Sequence, residues 1–585
     1  MWFDSHLLKE IQETNQHATI YDCIVNKDSF NEYIKDFIEF KITKKNYKIL
    51  IELCDFLMIN NVDKFIDRIV QIHNYDYSII YEFEDFYKYN TKRLMPMDIY
   101  MLENAVIAYC KNPKKCFHYY GFSSFWDVSN IEDMSRLFNE CQFNGDISNW
   151  NVSNVKNMTS MFSRSNFNRD ISKWNVSNVE NMSFMFLGSK FNKDISEWNV
   201  GKVKDMTCMF HNSIFNQDIA SWNVSSVTKM SSMFQKATKF NQDIGSWNVS
   251  SVTNMEEMFR EAIVFNGNLS NWDVSNVINM NAMFSSSVFN KDISNWNVSN
   301  VVCMHGLFAN SKFNRNISKW DVSNLKNMGW MFSLSQFNQD ISNWNVSNVM
   351  NMDNMFGESQ FNRDISKWNV SNVENMRMMF ANSVFNQDIS NWNVHNVEDM
   401  SYMFSTSKFN NDINDWNVNN VIDMSYMFSE SIFNKDISKW NVNNLINMSF
   451  MFSGSEFNKD ISNWNLLNVK NMQSLFLESK FIGDISKWNV ANVEHMSNMF
   501  SGSAFNNDIS KWNVSNVKYM KNMFYKSKFN NDISNWNVSK VEDMNNMFNE
   551  CPFNGDISKW DLSNLQHIKS NIFQYDSSDD DNEYI

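Results

Sequence analysis

The sequence predicts an α/β repeat solenoid that follows a mainly helical N-terminal domain. Tryptophan recurs every 24 residues from Trp126 to Trp560, with a 25-residue step in two places, and residues 1–120 contain no glycine. Fixed periods of 20–50 residues are typical of solenoids, whose units bury their apolar faces only against their neighbours. The 585 residues therefore divide into an N-terminal domain over 1–120, a solenoid of about eighteen repeats with a terminal stub over 122–573, and an acidic, disordered tail over 574–585.

Each repeat is predicted to hold one short helix and one short strand. Val155, Met158, Met161, Phe162 and Ser165 follow the three- and four-residue spacing of one helix face. The strand is predicted over 170–172, in a segment too short for a helix and rich in aromatic and β-branched residues. The two 25-residue repeats carry their extra residue between paired phenylalanines, over 234–240 and 259–265, which indicates a loop there.

The tryptophan and methionine columns are predicted to form the core. A ladder of exposed indoles that stacks on carbohydrate is the alternative for tryptophan. A promiscuous binding groove is the alternative for methionine, which is a flexible, polarizable side chain.

Two polar columns are predicted to satisfy backbone groups. The aspartate column begins at Asp146 and Asp170 and is interrupted by Asn268 and Asn316. An aspartate that accepts a hydrogen bond from the N–H of its own turn can be replaced by asparagine. A column of calcium sites is the alternative, although the glycine-rich turns typical of such repeats are absent. A second column, of asparagines such as Asn144 and Asn168, is broken only by Ile482.

The repeat phrase F-N-x-D-I-S-x-W-N-V-S-N-V-x-x-M-x-x-M-F resembles the BspA-like leucine-rich repeats of bacterial surface proteins, including mycoplasma lipoprotein-type ones, over residues 122–573. The resemblance implies a leucine-rich-repeat-like, right-handed solenoid that binds other proteins. The N-terminal segment 49–66 resembles the late helices of BTB and Skp1-like domains. A helical cap on the first repeat is the alternative for this end of the chain.

Composition and motifs point away from catalysis and nucleic acid. The net charge of −15 disfavours a nucleic-acid binder. No phosphate-binding glycine loop, zinc-protease motif or nucleophilic triad pattern occurs, so we expect no catalytic residue, no cofactor and no metal site. None of the eight cysteines lies in a C-x-x-C pair, which predicts no disulfide framework and suits a reducing compartment.

No export signal or membrane span is visible in the sequence, which favours an intracellular location. A composition poor in glycine and proline and rich in asparagine, isoleucine and lysine suggests an A+T-rich genome, such as that of a giant virus or an amoeba. For a viral protein this location would be the host cytoplasm or the virion.

The sequence therefore predicts a non-enzymatic scaffold that binds protein partners whose identity it leaves open. A ubiquitin-ligase substrate adaptor that uses the BTB-like segment is one alternative, and a surface or virion adhesin is another. The variable positions are the candidate binding positions. They are the pair before each methionine-phenylalanine, such as Ser401 and Tyr402, and the residue before each tryptophan, which is often lysine. The sequence alone does not choose between these two faces.

Overall fold

The computed structural model describes residues 95–111, 116, 120, 123–565 and 572, and the chain falls into two compact units. The first unit comprises Met1–Asn130 with Gly145–Asn151, and the second comprises Ile131–Asn144 with Val152–Ile585. The BTB-like segment 49–66 and the acidic tail 574–585 lie outside the described residues. The domain boundaries given above therefore stay predictions.

In the first unit, two short strands form a parallel pair. Strand β1, Met95–Pro96, pairs with β2, Trp126–Asp127, and Met95 lies opposite Trp126. A single turn of 3₁₀-helix, Ser123–Phe125, leads directly into β2.

Helix α1, Ile99–Lys111, follows β1 in the first unit. Asp98 precedes the helix as its N-cap, and the Oδ1 of Asp98 accepts a 2.8 Å hydrogen bond from the N–H of Met101. The helix buries Leu102, Ala105 and Val106. It lies between Pro96 and Pro113, and proline disfavours the continuation of a helix.

The second unit is a stack of tight turns, and the helix predicted over 155–165 is not formed. Over 131–565 each repeat shows turns, extended backbone and one isolated bridge residue, with no α-helix among the described residues. The bridges are parallel and join neighbouring repeats, as in Asn157 to Asn181 and Asn181 to Asp205. The strand predicted over 170–172 is also wrong, because the ladder passes through Asn157 instead.

Alternating hydrogen bonds explain why turns replace the helix. The N–H groups of Met158, Ser160 and Phe162 donate to carbonyls of the next repeat, with N···O distances of 2.9, 2.8 and 2.9 Å. Between them, the N–H of Met161 closes a four-residue turn onto the carbonyl of Met158, and Ser160 has a φ of +57°. A positive φ at the third residue is what a type II turn requires. A helix would use these N–H groups within the repeat, and the stack would then lose its ladder.

The core columns are confirmed as buried. Met158, Phe162 and Phe186 have no exposed surface, and the Phe162 and Phe186 ring centroids lie 5.6 Å apart. Trp198 is 3% exposed and stacks on Trp174 with an interplanar angle of 3°. The carbohydrate-stacking alternative is therefore wrong, because the indoles of the column are buried. The alternative of a binding groove lined by methionine is also wrong, because the methionine side chains of the column are buried.

A buried serine closes the turn between the paired phenylalanines. The Oγ of Ser359 donates to the carbonyl of Phe356 at 2.8 Å and accepts from the N–H of Phe361 at 3.3 Å. The two longer repeats carry alanine at this place, Ala237 and Ala262, and insert their extra residue directly after it. The inserted segments are turns, as predicted, and the N–H groups of the second phenylalanines bond to the alanine carbonyls instead.

The cysteines differ in part from the expectation. Cys110 and Cys141 are each disulfide-bonded, whereas Cys116, Cys208, Cys303 and Cys551 are free thiols. Burial raises the pKa of Cys116 to about 12, so this thiol is unreactive at neutral pH.

Candidate interaction surface

The aspartate column is confirmed as a set of side chains that bond to their own turns. The Oδ1 of Asp194 accepts a 2.9 Å hydrogen bond from the N–H of Ser196, and this bond lowers the pKa of the carboxyl group. Asn268 accepts the equivalent bond from Ser270 at 3.1 Å, which explains why asparagine replaces aspartate there. The described residues contain no group of three metal-ligating side chains. The stacked carboxylates thus each accept a hydrogen bond from a backbone donor of their own turn, as at Asp146, Asp170 and Asp194.

The asparagine column links successive repeats, as predicted. The N–H of Asn168 donates to Oδ1 of Asn144 at 3.0 Å, and the same bond runs from Ile482 to Asn458. Ile482 has no side-chain oxygen, so it cannot accept the equivalent hydrogen bond from the next repeat. The Nδ2 of Asn507 still donates to the Ile482 carbonyl at 2.8 Å, as the Nδ2 of Asn411 does to the Asn386 carbonyl at 3.0 Å in a regular repeat. Both polar columns are therefore part of the scaffold.

Three other columns form a continuous outer surface, which we call the ladder face. The bridge column is the residue just before the first methionine of each repeat, and the edge column is the residue before that. The turn column is the residue just before the second methionine, or before the leucine in its place. Edge residues bond to each other through the main chain, as in the 2.8 Å bond from the Glu180 N–H to the Lys156 carbonyl. Every turn-column residue from Arg136 to Asn546 has a positive φ.

The edge column changes its chemistry along the stack. Near its two ends it alternates in charge and forms ion pairs, such as Lys204 with Glu180 at 3.0 Å and Lys518 with Glu494 at 2.7 Å. The hydrogen bond from Lys204 lowers the pKa of Glu180. Between the ends the column contains exposed apolar side chains, including Ile278 at 52% exposure and Ile422 at 42%. Different stretches of one column therefore present different surfaces.

The turn column contains a run of stacked aromatic rings. The ring centroids of Tyr402 and Tyr426 lie 4.3 Å apart at an interplanar angle of 7°, and those of Tyr426 and Phe450 lie 4.3 Å apart at 6°. All three side chains are half-buried and their φ angles are 57–58°. Bulky side chains are uncommon in this left-handed region. Most other repeats place small or flexible residues here, such as Ser160 and Ala282, and Phe184 and Trp330 are isolated aromatic residues in the column.

The ladder face lies on the inner side of the curve in this part of the second unit. The repeats that begin at Trp392 and Trp416 are 6.5 Å apart at their indole centroids. The same two repeats are only 4.3 Å apart at Tyr402 and Tyr426. Since equivalent rings are nearly parallel in both columns, the difference means that the repeats converge toward the ladder face.

The two sets of variable positions occupy different columns. Tyr402, Asn354 and their equivalents before each methionine-phenylalanine belong to the turn column. The residue before each tryptophan lies outside the ladder face, where Lys439 pairs with Asp415 at 2.8 Å. The sequence reasoning did not find the edge column. The variation of this column, from Lys156 to Ile278 for example, is visible in the sequence. The predicted helix did not indicate that these residues form one surface.

The repeats define the chain as a repeat solenoid. The chain belongs to the family described as "Mycoplasma protein of unknown function, DUF285". The family model matches overlapping stretches over residues 114–214, 189–288, 265–360, 285–388, 333–432, 381–482, 405–503 and 478–583. No curated protein matches the chain.

Two solved structures are similar only distantly. One is described as the plant peptide hormone receptor RGFR1 in complex with RGF2, at 8% identity and a TM-score of 0.29, over 73% of this chain and 91% of that chain. The other is the LRR ectodomain of the plant membrane receptor kinase GASSHO1/SCHENGEN3 from Arabidopsis thaliana in complex with CASPARIAN STRIP INTEGRITY FACTOR 2. Its identity is 9% and its TM-score 0.22, and the match covers 70% of this chain and 60% of that chain. Among the described residues no helix is long and apolar enough to span a membrane.

Proposed function

We propose that the chain is a non-enzymatic scaffold that binds other proteins through its ladder face. The observation that carries this proposal is the variation of exposed side chains on an unvarying backbone. The same inter-repeat hydrogen bonds recur from Met134 to Phe524, while the edge column changes from charged to apolar and back. The fold needs only the backbone bonds at these positions, so the side chains are free to serve recognition.

The variation of side chains along the edge column favours a protein partner over a partner with a regularly repeating surface. A polysaccharide or a crystal lattice offers the same group at regular intervals, and a solenoid that binds it gains by repeating the same side chain. The edge column instead has Glu132 and Lys156 in one region and Ile278 and Val302 in another. A surface whose charge and polarity differ from place to place complements a partner that is equally irregular, as protein surfaces are.

The ladder also keeps the surface in place before a partner binds. Each repeat makes several main-chain hydrogen bonds to the next, and the core columns beneath are fully buried. Binding to a pre-organised surface loses little conformational entropy. The scaffold would therefore act as a rigid array on which separate stretches contact one or more partners.

A photo-crosslinking experiment on the full chain tests this function. One variant carries a photoreactive amino acid in place of Glu398, on the ladder face, and a second carries it in place of Ile278. The matched controls carry it at Asn391 and Asn271, which are exposed and directly precede Trp392 and Trp272. Each variant is irradiated in a lysate of the source organism's cells, with and without excess unlabelled chain.

We expect Glu398 or Ile278 to give discrete protein adducts that the unlabelled chain competes away. Asn391 and Asn271 should give none. The proposal is overturned if neither ladder position gives a competed adduct, or if both faces give the same ones. The adaptor alternative depends on residues 49–66, outside the described part of the chain, and nothing on the described surface favours an adhesin, so neither is proposed.

A further inference from the structure

We infer that the ladder face of the four repeats over 368–463 binds a basic polypeptide segment that also carries apolar side chains. We call this surface the patch. The inference rests on the proposed scaffold function and assigns it a place and a partner chemistry. It depends on the aromatic run of the turn column, the acids beside it and the exposed isoleucines of the edge column.

The aromatic run is not required by the fold. Tyr402, Tyr426 and Phe450 occupy left-handed positions at which Asn354 and Gly306 serve in other repeats with the same backbone bonds. The rings remain half-buried, so they do not fill the core. Bulky residues that keep a sparsely populated conformation while only half-buried indicate selection for what they present outward.

The geometry of the rings decides what kind of ligand can use them. Stacking at a centroid distance of 4.3 Å covers both faces of Tyr426 and one face each of Tyr402 and Phe450, which leaves mainly ring edges at the surface. A sugar or a nucleobase that stacks on an aromatic side chain needs a free face. A continuous ridge of ring edges instead offers apolar contact area, which side chains of another polypeptide can cover.

Small side chains lie between the ridge and the edge column. Ser401, Ser425 and Ser449 directly precede the three aromatic residues and are 5–7% exposed. On the edge column, Ile422 and Ile446 are each 42% exposed. The patch thus combines an aromatic ridge, small buried serines and an apolar edge within the same repeats.

Unpaired acids give the patch its charge. Glu374 and Glu398 are exposed on the edge column, and neither forms an ion pair with any described residue. Asp399 and Asp423 lie in the bridge column, where their Oδ1 atoms accept N–H hydrogen bonds from Ser401 and Ser425 at 2.8 and 2.7 Å. These bonds satisfy the carboxylates without neutralising them.

The nearby cation does not offset these acids. Arg377 lies 3.7 Å from Asp353 and 5.8 Å from the ring of Tyr402, so it is engaged within the chain. Elsewhere on the edge column acids alternate with lysines. Because four carboxylates lie together here, the patch would attract a basic segment and repel nucleic acid.

The arrangement predicts the order of features in the partner. Its lysine or arginine side chains would contact Glu374 and Glu398, and its apolar side chains would contact Ile422, Ile446 and the ring edges. Neighbouring parallel strands lie ~4.8 Å apart, and an extended chain advances ~3.3 Å per residue. The ladder face of four repeats is therefore long enough to contact on the order of five residues of an extended partner. Short linear segments of this kind are within the reach of peptide selection.

A peptide selection with the full chain tests the inference. The probe is a phage-displayed library of random peptides, and the affinities of selected peptides are measured by fluorescence anisotropy at low and high salt. One variant combines Tyr402→Asn, Tyr426→Asn and Phe450→Asn, and a second combines Glu374→Lys with Glu398→Lys. The matched control is Phe184→Asn, an equivalent substitution in the turn column outside the patch.

We expect selected peptides that combine lysine or arginine with apolar residues. Each patch variant should weaken their binding at least ~10-fold, as loss of central contacts does. The charge variant should also abolish the salt dependence, and Phe184→Asn should change nothing. If the triple variant fails to fold, the charge variant decides alone, because Lys326 and Lys470 show that the edge column accepts lysine.

Two results would overturn the inference. The first is selected peptides without basic residues, and the second is binding that both patch variants leave unchanged. In the second case the crosslinking experiment still decides whether the ladder face binds proteins at all. The failure of the patch is therefore distinguishable from the failure of the scaffold function.

Discussion

The indole Nε1 of Trp344 donates a 3.1 Å hydrogen bond to the backbone carbonyl of Ile317, 27 residues earlier in the chain. Equivalent bonds recur along the stack, as from Trp368 to Ile341 and from Trp392 to Ile365. Each tryptophan therefore fills the core and also gives a buried carbonyl a second hydrogen bond, as at Ile317, whose other donor is the N–H of Trp320. The column combines packing with hydrogen bonding, which explains why tryptophan serves here better than phenylalanine.

Replacement of Trp344 by phenylalanine is expected to lower the free energy of unfolding by about 1–3 kcal/mol. The change removes one of the two donors to the Ile317 carbonyl, which keeps its bond from the N–H of Trp320, and it opens a small cavity. Urea denaturation of the full chain, followed by circular dichroism, measures the loss, with the exposed neighbour Asn343→Ala as the control. The double variant Trp344→Ala with Phe356→Ala should lose more than Trp344→Phe. Unchanged unfolding in the double variant would contradict a buried ladder.

Ser359→Ala is expected to lower the free energy of unfolding by about 1–3 kcal/mol, because the buried N–H of Phe361 loses its acceptor. Ser359 is 1% exposed and its Oγ lies 3.3 Å from that nitrogen. The control is Ser347→Ala, at a half-buried serine in the same part of the stack. Equal losses in the two variants, measured by urea denaturation, would show that the turn does not depend on the serine hydroxyl.

The aspartate column is expected to make the stack less stable in acid. Hydrogen bonds from the serine N–H groups lower the pKa values of Asp436, Asp460 and Asp484 in the folded chain. As the pH falls below ~4, the unfolded chain binds protons first, so stability present above this range is lost progressively toward the lower folded pKa.

Substitution of these three aspartates by asparagine should reduce the loss of stability between pH 5 and pH 2.5, because asparagine keeps the hydrogen bond without titrating. The urea midpoint as a function of pH measures this. The control replaces the three tail aspartates, Asp579, Asp580 and Asp581, and so removes the same charge. The same flattening in the control would mean that net charge, and not the turn, sets the acid sensitivity.

Gly188→Ala is expected to cost about 1 kcal/mol through backbone strain alone. Gly188 has a φ of +60°, and an added Cβ would lie 3.4 Å from Cγ of Arg164, which is an ordinary contact. Gly201 has no positive φ, and Gly201→Ala should leave stability unchanged or raise it slightly. Thermal melting of both variants tests the pair, and a larger loss at Gly201 would refute the assignment of strain to the turn.

Several features of the stack could be predicted from the sequence. The tryptophan period gave the number of repeats, and the burial of Met158 and Phe162 followed from their regular recurrence. The bonds of Asp194 and Asn268 to their own turns could also be predicted, because aspartate and asparagine share one acceptor geometry. Such properties depend on what one residue does in every repeat, and a repeating sequence displays them directly.

The sequence by itself therefore determined the solenoid, its core columns and its polar turns, whereas only the tertiary structure decided the backbone path and the ladder face. The spacing of Val155, Met158, Met161 and Phe162 fits a helix, but successive tight turns bring the same residues to one side. The choice depends on whether the N–H of Met158 bonds within its repeat or to Asn181, 23 residues away. Because that partner belongs to another repeat, local spacing does not reveal it, and the surface defined by the ladder was hidden with it.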